Sequence, residues 1–297
     1  DVFLFIGDNV YADTRDMEVL RAAYAKLAAV PGYQRLRQTC PVLATWDDHD
    51  YGLNDGGAEF SMKDESQRAF LEAFDEPTDS PRWLRPGVHD ARVFGPPNRR
   101  VQIILLDTRY FRGPLALRDT RLPGFGRYTA NNDPAVTMLG AEQWAWFEEQ
   151  LRVPARLRII VSSIQVVAED HGWEKWMNLP HERGRLLAAL DGRRGGGVLI
   201  VSGDRHMAEL SRLDREGYPP VYDLTSSGMN CALSPGYDEP NRRRVGKVHG
   251  GDNFGLITID WEQPDPEITL EIHHADGGVP LQHLVPLSTL STGGDGG

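Results

Sequence analysis

Residues 198–206 read VLIVSGDRH, an apolar run that ends in Gly203, Asp204 and His206. An apolar run without alternation is typical of a strand that is buried on both faces. The same pattern, an apolar run followed directly by polar side chains, recurs elsewhere in the chain. The runs of this kind are Val2–Ile6, Pro41–Thr45, Val101–Leu106, Leu157–Ser162 and Val198–Ser202. The sequence therefore predicts several buried strands whose carboxyl ends carry polar groups.

Helical segments separate these runs. Apolar residues recur at intervals of three and four in Asp16–Ala29, Ala141–Leu151 and His181–Leu190, which is the spacing of one helix face. Further strands are predicted at Val221–Thr225, Leu256–Trp261 and Glu267–His273. Strands that alternate with helices, followed by strands in succession, indicate a layered α/β fold.

The composition excludes several classes of protein. The chain has 297 residues, with 32 Lys and Arg against 43 Asp and Glu, so its formal net charge is −11. Because phosphate backbones repel such a chain, general nucleic-acid binding is excluded. Cys40 and Cys231 are too few for a disulfide framework or a four-cysteine zinc site. The apolar runs are far shorter than the ~18 residues that a membrane-spanning helix needs.

We expect one domain, residues 1–287, with two long insertions. Phe111–Met138 and Ser234–Asp252 are rich in Gly, Pro and Arg and show no helical or strand period. Loops of this length inside a compact domain are commonly lids or substrate walls. The chain ends in STLSTGGDGG, residues 288–297, which is predicted to be a flexible tail.

Polar groups accumulate where the predicted strands end. The side chains concerned are Asp8, Asp47–Asp50, Asp107, Gln165, Asp204 and His206. In α/β sheets, ligands bind beyond the carboxyl ends of the strands, and clustered carboxylates favour a bound cation. The alternative is an ion-pair network with Arg109, Arg112 and Arg205. For Asp8, Asp48, Asp204 and His206 taken together, we favour metal binding.

The donor types indicate which metal. Several carboxylates and few histidines favour Ca²⁺, Mg²⁺ or Fe³⁺ over zinc, and no Cys-x-x-Cys or His-Glu-x-x-His string is present. Tyr11 lies three residues after Asp8, so a tight turn can bring both to one ion. A phenol with a pKa near ~10 becomes a ligand mainly when a strongly charged cation ionises it, which indicates Fe³⁺. A packed core tyrosine is the alternative.

Three strings occur in the order of known metal motifs. GDNVY at 7–11, WDDHD at 46–50 and GDRH at 203–206 resemble those of calcineurin-like metallophosphoesterases. They resemble most the PhoD-like alkaline phosphatase branch, also called alkaline phosphatase D. The supporting strings are LLDTR at 105–109, LGAEQW at 139–144 and SSIQ at 162–165. The resemblance implies a β-sandwich flanked by helices, in α/β/β/α layers.

The resemblance also implies a set of metal ligands. Asp8 would bridge two metals, Tyr11 would bind a ferric ion, and Asp48 would bind the second metal. Asp204 and His206 match the family's Gly-His-x-His motif, with Asp204 in place of the first His. This exchange favours Fe³⁺ together with Ca²⁺ in a dinuclear site, with Zn, Mn and Mg as alternatives.

The remaining candidate residues concern the substrate. By resemblance, His49 would protonate the leaving group and Asp50 would orient His49. Arg109 or Arg205 can clamp the phosphate bidentately, or pair with neighbouring carboxylates instead. Asn54 is either a further oxygen donor at the site or a turn residue.

Two positions depart from the family's pattern. The family's first metal motif lies on a strand upstream of Asp8 and has no counterpart here, so we expect an N-terminally incomplete domain. Gln165 is the nearest match to the family's central His.

The resemblance implies a metal-dependent phosphoester hydrolase in which a hydroxide held between two metals attacks phosphorus. The expected partner is a small-molecule phosphoester. Three alternatives stay open: a phosphodiesterase or phospholipase on the same scaffold, a non-catalytic metal- or phosphate-binding remnant, and a structural domain with ion pairs. The family is often exported, which is compatible with a periplasmic or secreted protein, and the sequence specifies neither location nor oligomeric state.

Overall fold

The computed structural model describes residues 1–120, 125–192 and 195–291. The strands are β1 Phe3–Ile6, β2 Val42–Thr45, β3 Asp90–Phe94, β4 Val101–Leu105, β5 Ala116–Leu117, β6 Tyr128–Thr129, β7 Leu157–Ser162, β8 Gly197–Ser202, β9 Ala208–Arg215, β10 Tyr218–Ser226, β11 Arg244–His249, β12 Asn253–Asp260, β13 Glu267–His274 and β14 Leu281–Pro286. The helices are α1 Met17–Ala28, α2 Pro31–Thr39, α3 Asp48–Tyr51, α4 Lys63–Ala73, α5 Gly140–Gln150 and α6 Pro180–Asp191.

The large sheet explains why the central runs are apolar without alternation. Its strand order is β11-β9-β10-β8-β7-β4-β3, with β4, β7, β8 and β10 parallel and the other strands antiparallel. On one face, Ile160 packs in the same cluster as Trp144 of α5 and Leu186 of α6. On the other face, Ile159 packs in a cluster with the second layer of strands. Both faces of β7 and β8 are therefore buried.

The second layer consists of a parallel pair, β1-β2, and an antiparallel sheet, β12-β13-β14. Leu4 and Ile268 belong to the core that these strands share with the large sheet. The outer side of β1-β2 is covered by α1, α2 and α4, where the Phe5 and Tyr33 rings meet edge to face at 5.6 Å. The order of layers is helix, sheet, sheet, helix, so the predicted α/β/β/α fold is confirmed.

A groove separates β1 from β12. Within the described residues, β1 pairs only with β2 and β12 only with β13, so each strand has one edge without a strand partner. The groove has a volume of about 330 Å³, and Ile103, Ile159 and Val201 of the large sheet form part of its floor. Phe254 and Leu256 at its rim are partly exposed.

The structure extends the predicted boundaries in several places. Leu287–Leu290 form a 3₁₀ turn in which Leu290 is buried, so packed chain continues beyond the predicted boundary at residue 287. The rest of the predicted tail, residues 292–297, lies outside the described residues. The two predicted insertions are not wholly irregular, since Phe111–Met138 contains the β5-β6 hairpin and Ser234–Asp252 contains β11. None of the described helices has the length and apolarity needed to cross a membrane.

Candidate metal centre

Strand ends from both sheets meet at one place. Asp8 follows β1, Asp47 and Asp48 follow β2, and Asp204 follows β8; one carboxylate oxygen from each lies within 4.8 Å of the others. Gly7 allows this approach, because its φ is +112° and a Cβ at that position would lie 2.5 Å from the Asp47 Cβ. The sequence predicted that these side chains meet at the carboxyl ends of neighbouring strands. In the structure, the strand ends that carry them belong to two stacked sheets.

Three of the four carboxylates, those of Asp8, Asp47 and Asp204, lie in an environment that disfavours their charged forms. Burial raises the pKa of Asp8 well above its usual value, and the charges of Asp48 and Asp47 raise it further. Burial also raises the pKa of Asp204 well above its usual value, against the opposing charge of Arg205. Oδ1 of Asp8, Oδ2 of Asp47 and Oδ2 of Asp204 are buried and accept no hydrogen bond from the described residues. Orphaned buried oxygens that face one another are what a cation would neutralise.

A nitrogen-containing group adjoins the carboxylates. One ring nitrogen each of His49 and His206 and one oxygen of Asp8 lie within 4.8 Å of one another. The Tyr11 hydroxyl lies 3.1 Å from Nε2 of His206 and 3.3 Å from Oδ2 of Asp8. Since Tyr11 is 38% exposed, it stands at the rim of this group rather than in the core. Asp8 belongs to both groups and therefore lies between two candidate metal positions.

The histidines differ in electrostatic surroundings. Burial lowers the pKa of His206, and the charges of Arg205 and His49 lower it further, which keeps the ring neutral as a ligand must be. For His49, burial lowers the pKa, but the carboxylates of Asp48 and Asp13 outweigh it and the net pKa is raised. Burial raises the pKa of the Tyr11 phenol and the Asp8 charge raises it further, so Tyr11 would need a strongly charged cation to ionise.

Left-handed backbone is concentrated at this centre. The residues with positive φ here are Asp8 at 51°, Asp13 at 45°, Asp55 at 52°, Asp204 at 67° and His206 at 55°. Asp and His adopt this conformation more readily than most residues, but it remains strained. Such strain is found preferentially where side chains must be aimed at a ligand. The turns after β1 and β8 thus direct their side chains into the centre.

Comparison with known proteins identifies the family. The family model of PhoD-like phosphatases matches residues 1–235. The chain belongs to the PhoD-like phosphatase family. A solved structure described as "Structure of PhoD" is similar in fold, with a TM-score of 0.66 and 16% sequence identity, over 96% of this chain and 66% of that chain. The chain thus spans 66% of the length of that structure. A search of curated proteins gives no match.

The PhoD-like family implies metal-dependent catalysis, and the residues of this member fit a metal. The fit rests on the orphaned oxygens of Asp8, Asp47 and Asp204 and on a donor set that adds the imidazole of His206. Oxygen-rich sets with one imidazole suit hard cations better than zinc. Asp47 was not among the predicted ligands. The string WDDHD contains it, but adjacent carboxylates cannot be told apart by spacing alone.

Asp50 is hydrogen-bonded through its carboxylate to groups other than its predicted partner, His49. Its carboxylate accepts hydrogen bonds from the Asp47 backbone N–H at 2.7 Å and from Asn9 at 2.5 Å. Burial raises its pKa to about 8. Nδ1 of His49 instead lies 2.8 Å from Oδ2 of Asp13. The contact to Nδ1 of His49 that was expected from Asp50 is therefore made by Asp13, which sequence reasoning missed.

The two predicted phosphate-binding arginines are already paired. Arg109 is fully buried, with Nε 2.5 Å from Oδ1 of Asp47 and Nη1 2.6 Å from Oε2 of Glu174. Arg205 lies 2.6 Å from Oε2 of Glu239. Both guanidinium groups thus form ion pairs within the protein, while Nη2 of Arg109 has no hydrogen-bond partner among the described residues. Asn54, the third predicted substrate contact, is exposed.

Two further acids join the PhoD-like centre on the side of Asp48. The carboxylates of Asp48, Asp55 and Glu174 each offer an oxygen within 4.8 Å of the others. The backbone N–H of Asp55 also donates to Oδ2 of Asp48 at 2.7 Å. Glu174 follows no predicted strand, so no sequence signal was available for it. Gln165, predicted from the sequence as the nearest match to the family's central His, donates to Glu209 and Thr225.

Proposed function

We propose that the chain is a metal-dependent phosphoester hydrolase with a dinuclear centre. The observation that carries the proposal is the group of four carboxylates, Asp8, Asp47, Asp48 and Asp204, three of which have a buried oxygen without a hydrogen-bond donor. A bound metal pair supplies charge neutralisation at phosphorus and an activated water. Membership of the PhoD-like phosphatase family supports this class of reaction.

The ligand set divides into two positions that share Asp8. Tyr11 and His206 contact Asp8 on one side, and we assign them to the ferric position. Asp48 and Asp47 lie on the other side, where an oxygen-only set suits Ca²⁺. Asp204 lies in one group with Asp8, Asp47 and Asp48. Zinc, manganese and magnesium are alternative occupants.

His49 is the proposed general acid. Its Nδ1 lies 2.8 Å from the Asp13 carboxylate, so Asp13 fixes the ring and leaves Nε2 free to hold a proton for the leaving alkoxide. The Tyr11 ring packs against His49 with centroids 4.5 Å apart and limits rotation of the imidazole. Asp13 is therefore a positioning residue in this proposal.

Arg109 has a supporting role in the proposed mechanism. Its buried guanidinium lies beside Asp47 and Glu174 and compensates part of the negative charge beneath the centre. Its charge also lowers the pKa of Asp48; although burial raises that pKa, the net value is below the usual one. Arg109 thus keeps Asp48 ionised, as a ligand must be.

The test combines metal content with hydrolysis. The purified chain is analysed for iron, calcium, zinc and manganese and then assayed with 4-nitrophenyl phosphate and bis(4-nitrophenyl) phosphate. We expect bound metal and hydrolysis of at least one ester. Asp204→Asn is expected to reduce turnover more than ~100-fold, because it removes a ligand rather than a neighbour of one.

Asp214→Asn is the matched control, since Asp214 is an exposed aspartate of β9 whose partner is Arg212. It should leave turnover unchanged. Stoichiometric metal without hydrolysis of either ester would support the non-catalytic binder instead. Full activity in Asp204→Asn would show that the carboxylate group is not the active site.

A further inference from the structure

The three buried guanidinium groups near the centre all form ion pairs within the protein. Arg109, Arg112 and Arg205 are buried, and each pairs with a buried glutamate. A phosphoryl group carries negative charge and is bound most strongly by a guanidinium that can present two N–H groups to it. Breaking a buried pair would leave an uncompensated charge in the interior. A substrate-binding arginine is therefore expected in a more exposed position.

Arg127 occupies such a position. Its side chain is 44% exposed, and its Nη2 lies 2.5 Å from Oδ2 of Asp55. The hydroxyl of Tyr128 donates to the same carboxylate oxygen at 2.7 Å. An exposed ion pair of this kind contributes little to stability and exchanges partners readily. Arg127 can thus leave Asp55 for an anion without disrupting the fold.

Asp55 links Arg127 to the metal centre. The Asp55 backbone N–H donates to Oδ2 of Asp48 at 2.7 Å, and the Asp55 carboxylate lies in one group with Asp48 and Glu174. A single residue therefore separates the Arg127 guanidinium from a proposed metal ligand. The Arg127 guanidinium is thus connected to the centre through Asp55 and Asp48.

The backbone that carries Arg127 is fixed by close packing. The Tyr128 N–H donates to the Gly172 carbonyl at 2.7 Å. A Cβ on Gly126 would lie 2.2 Å from the Gly172 carbonyl carbon, so the two segments touch directly. The Arg127 guanidinium also lies 5.1 Å from the centre of the Tyr128 ring. The exposed guanidinium can exchange partners, while the backbone that carries it is held in place.

We propose that Arg127 binds the phosphoryl oxygens of the substrate, exchanging the Asp55 carboxylate for the anion. The inference rests on the proposed phosphoester hydrolysis and adds a substrate-binding residue from the β5-β6 hairpin. It replaces the clamp that the sequence predicted at Arg109 or Arg205. The predicted long insertion, Phe111–Met138, thereby contributes a side chain to substrate binding.

The experiment measures binding of inorganic phosphate to the metal-loaded protein by isothermal titration calorimetry. Kinetics with bis(4-nitrophenyl) phosphate are measured in parallel. Arg127→Ala is expected to weaken phosphate binding about 10-fold and to raise KM by a similar factor, since a charge-assisted hydrogen bond is lost. Metal content and melting temperature should not change. Arg127→Lys should restore part of the affinity, because it keeps the charge but not the bidentate geometry.

Arg99→Ala is the matched control. Arg99 is 42% exposed and pairs with Glu262, at the start of β4, away from the strand ends that form the centre. It should leave phosphate affinity unchanged. Phosphate binding by Arg127→Ala at the wild-type level would overturn the proposal, as would a wild-type protein that binds no phosphate. If the wild type binds phosphate but hydrolyses no ester, the proposed function fails while the affinity of Arg127→Ala still decides the role of Arg127.

Discussion

Asp8 and Glu182 are buried to a similar extent, at 6% and 5% exposure, but their surroundings differ. Oε2 of Glu182 accepts hydrogen bonds from the Thr137 hydroxyl at 2.6 Å, the Met138 N–H at 2.6 Å and the Trp144 indole at 2.9 Å. Oδ1 of Asp8 accepts none from the described residues. Glu182 thus connects α6 to Thr137 and Met138 and to Trp144 of α5. Asp8 instead lies close to other carboxylates.

Asp223 resembles Glu182 in this respect. Its Oδ2 accepts from the backbone N–H groups of Val166 and Val167 at 2.8 and 3.0 Å, and its Oδ1 accepts from Ser202 at 2.7 Å. The comparison shows that burial of an acid does not by itself mark a functional site. A buried acid with hydrogen-bond donors on its oxygens stabilises the fold. Buried acids that meet one another with oxygens left over indicate a cation.

The largest effect should follow from Asp8→Asn. The variant loses a ligand common to both proposed metal positions, so we expect turnover to fall by more than ~100-fold. Without metal, the variant should be at least as stable as the wild type, because Asn lacks the cost of keeping an aspartate buried among other carboxylates. Metal content, ester hydrolysis and urea unfolding of the metal-free protein measure these outcomes.

The stability of the metal-free protein should also depend on pH in a defined direction. The folded-state pKa of Asp8 is raised by burial and by neighbouring carboxylates, so the folded chain keeps a proton that the unfolded chain releases. Wild-type stability therefore decreases as pH rises above the ordinary aspartate range of about 4. Asp8→Asn should lessen this decrease. If the variant is less stable than the wild type at about pH 8, Asp8 stabilises the fold, as Glu182 and Asp223 do.

Asp223→Ala should affect stability instead of chemistry. Three hydrogen-bond donors would lose their acceptor, and we expect unfolding free energy to fall by about 2–3 kcal/mol. Turnover per folded molecule should stay within about twofold of the wild type, since Asp223 supports the backbone rather than the centre. Urea denaturation and a specific-activity assay at low temperature separate the two quantities. A variant with intact stability and lost turnover would show that Asp223 acts in the chemistry rather than in the stability of the fold.

Asp13→Asn should have the smallest effect and the most specific one. Asp13 contacts Nδ1 of His49, so the variant weakens the proton delivery that we assign to His49. Loss of this help should be about 10-fold for esters of alkyl alcohols and smaller for 4-nitrophenyl esters, which leave without a proton. Asp13→Glu, which keeps a carboxylate near the ring, should recover part of the rate. Equal losses for both kinds of ester would indicate a merely structural role.

Much of the fold followed from the apolar runs. Leu157–Ser162 was predicted with the bounds that β7 has, and β8 begins one residue before the predicted Val198. These strands are buried on both faces, so their sequences are apolar throughout. Strand β9, which was not predicted, alternates with exposed charged residues such as Arg212 and Asp214 and has a weaker apolar signal. The layer order came from the family resemblance rather than from the runs.

At the centre, the sequence indicated which strand ends carry candidate ligands. It did not indicate which of several neighbouring acids points toward the centre and which accepts hydrogen bonds from the protein. Asp47, Asp48 and Asp50 follow one strand, and only packing decides that Asp50 turns inward to the Asp47 N–H. Asp13 and His49 are 36 positions apart in the sequence, so no short motif could predict their contact. The burial of Arg109 depends likewise on Glu174, a distant partner.

The groove between β1 and β12 bears on how the chain behaves in concentrated solution. Two strand edges that lack a strand partner among the described residues border an apolar floor, and Phe254 and Leu256 are 44% and 42% exposed at its rim. Unpaired strand edges act as templates for extended segments of other molecules, and apolar surroundings strengthen such pairing. Self-association should therefore begin along this edge during concentration or refolding. A lysine in place of Leu256 would oppose it by setting charge against the incoming strand.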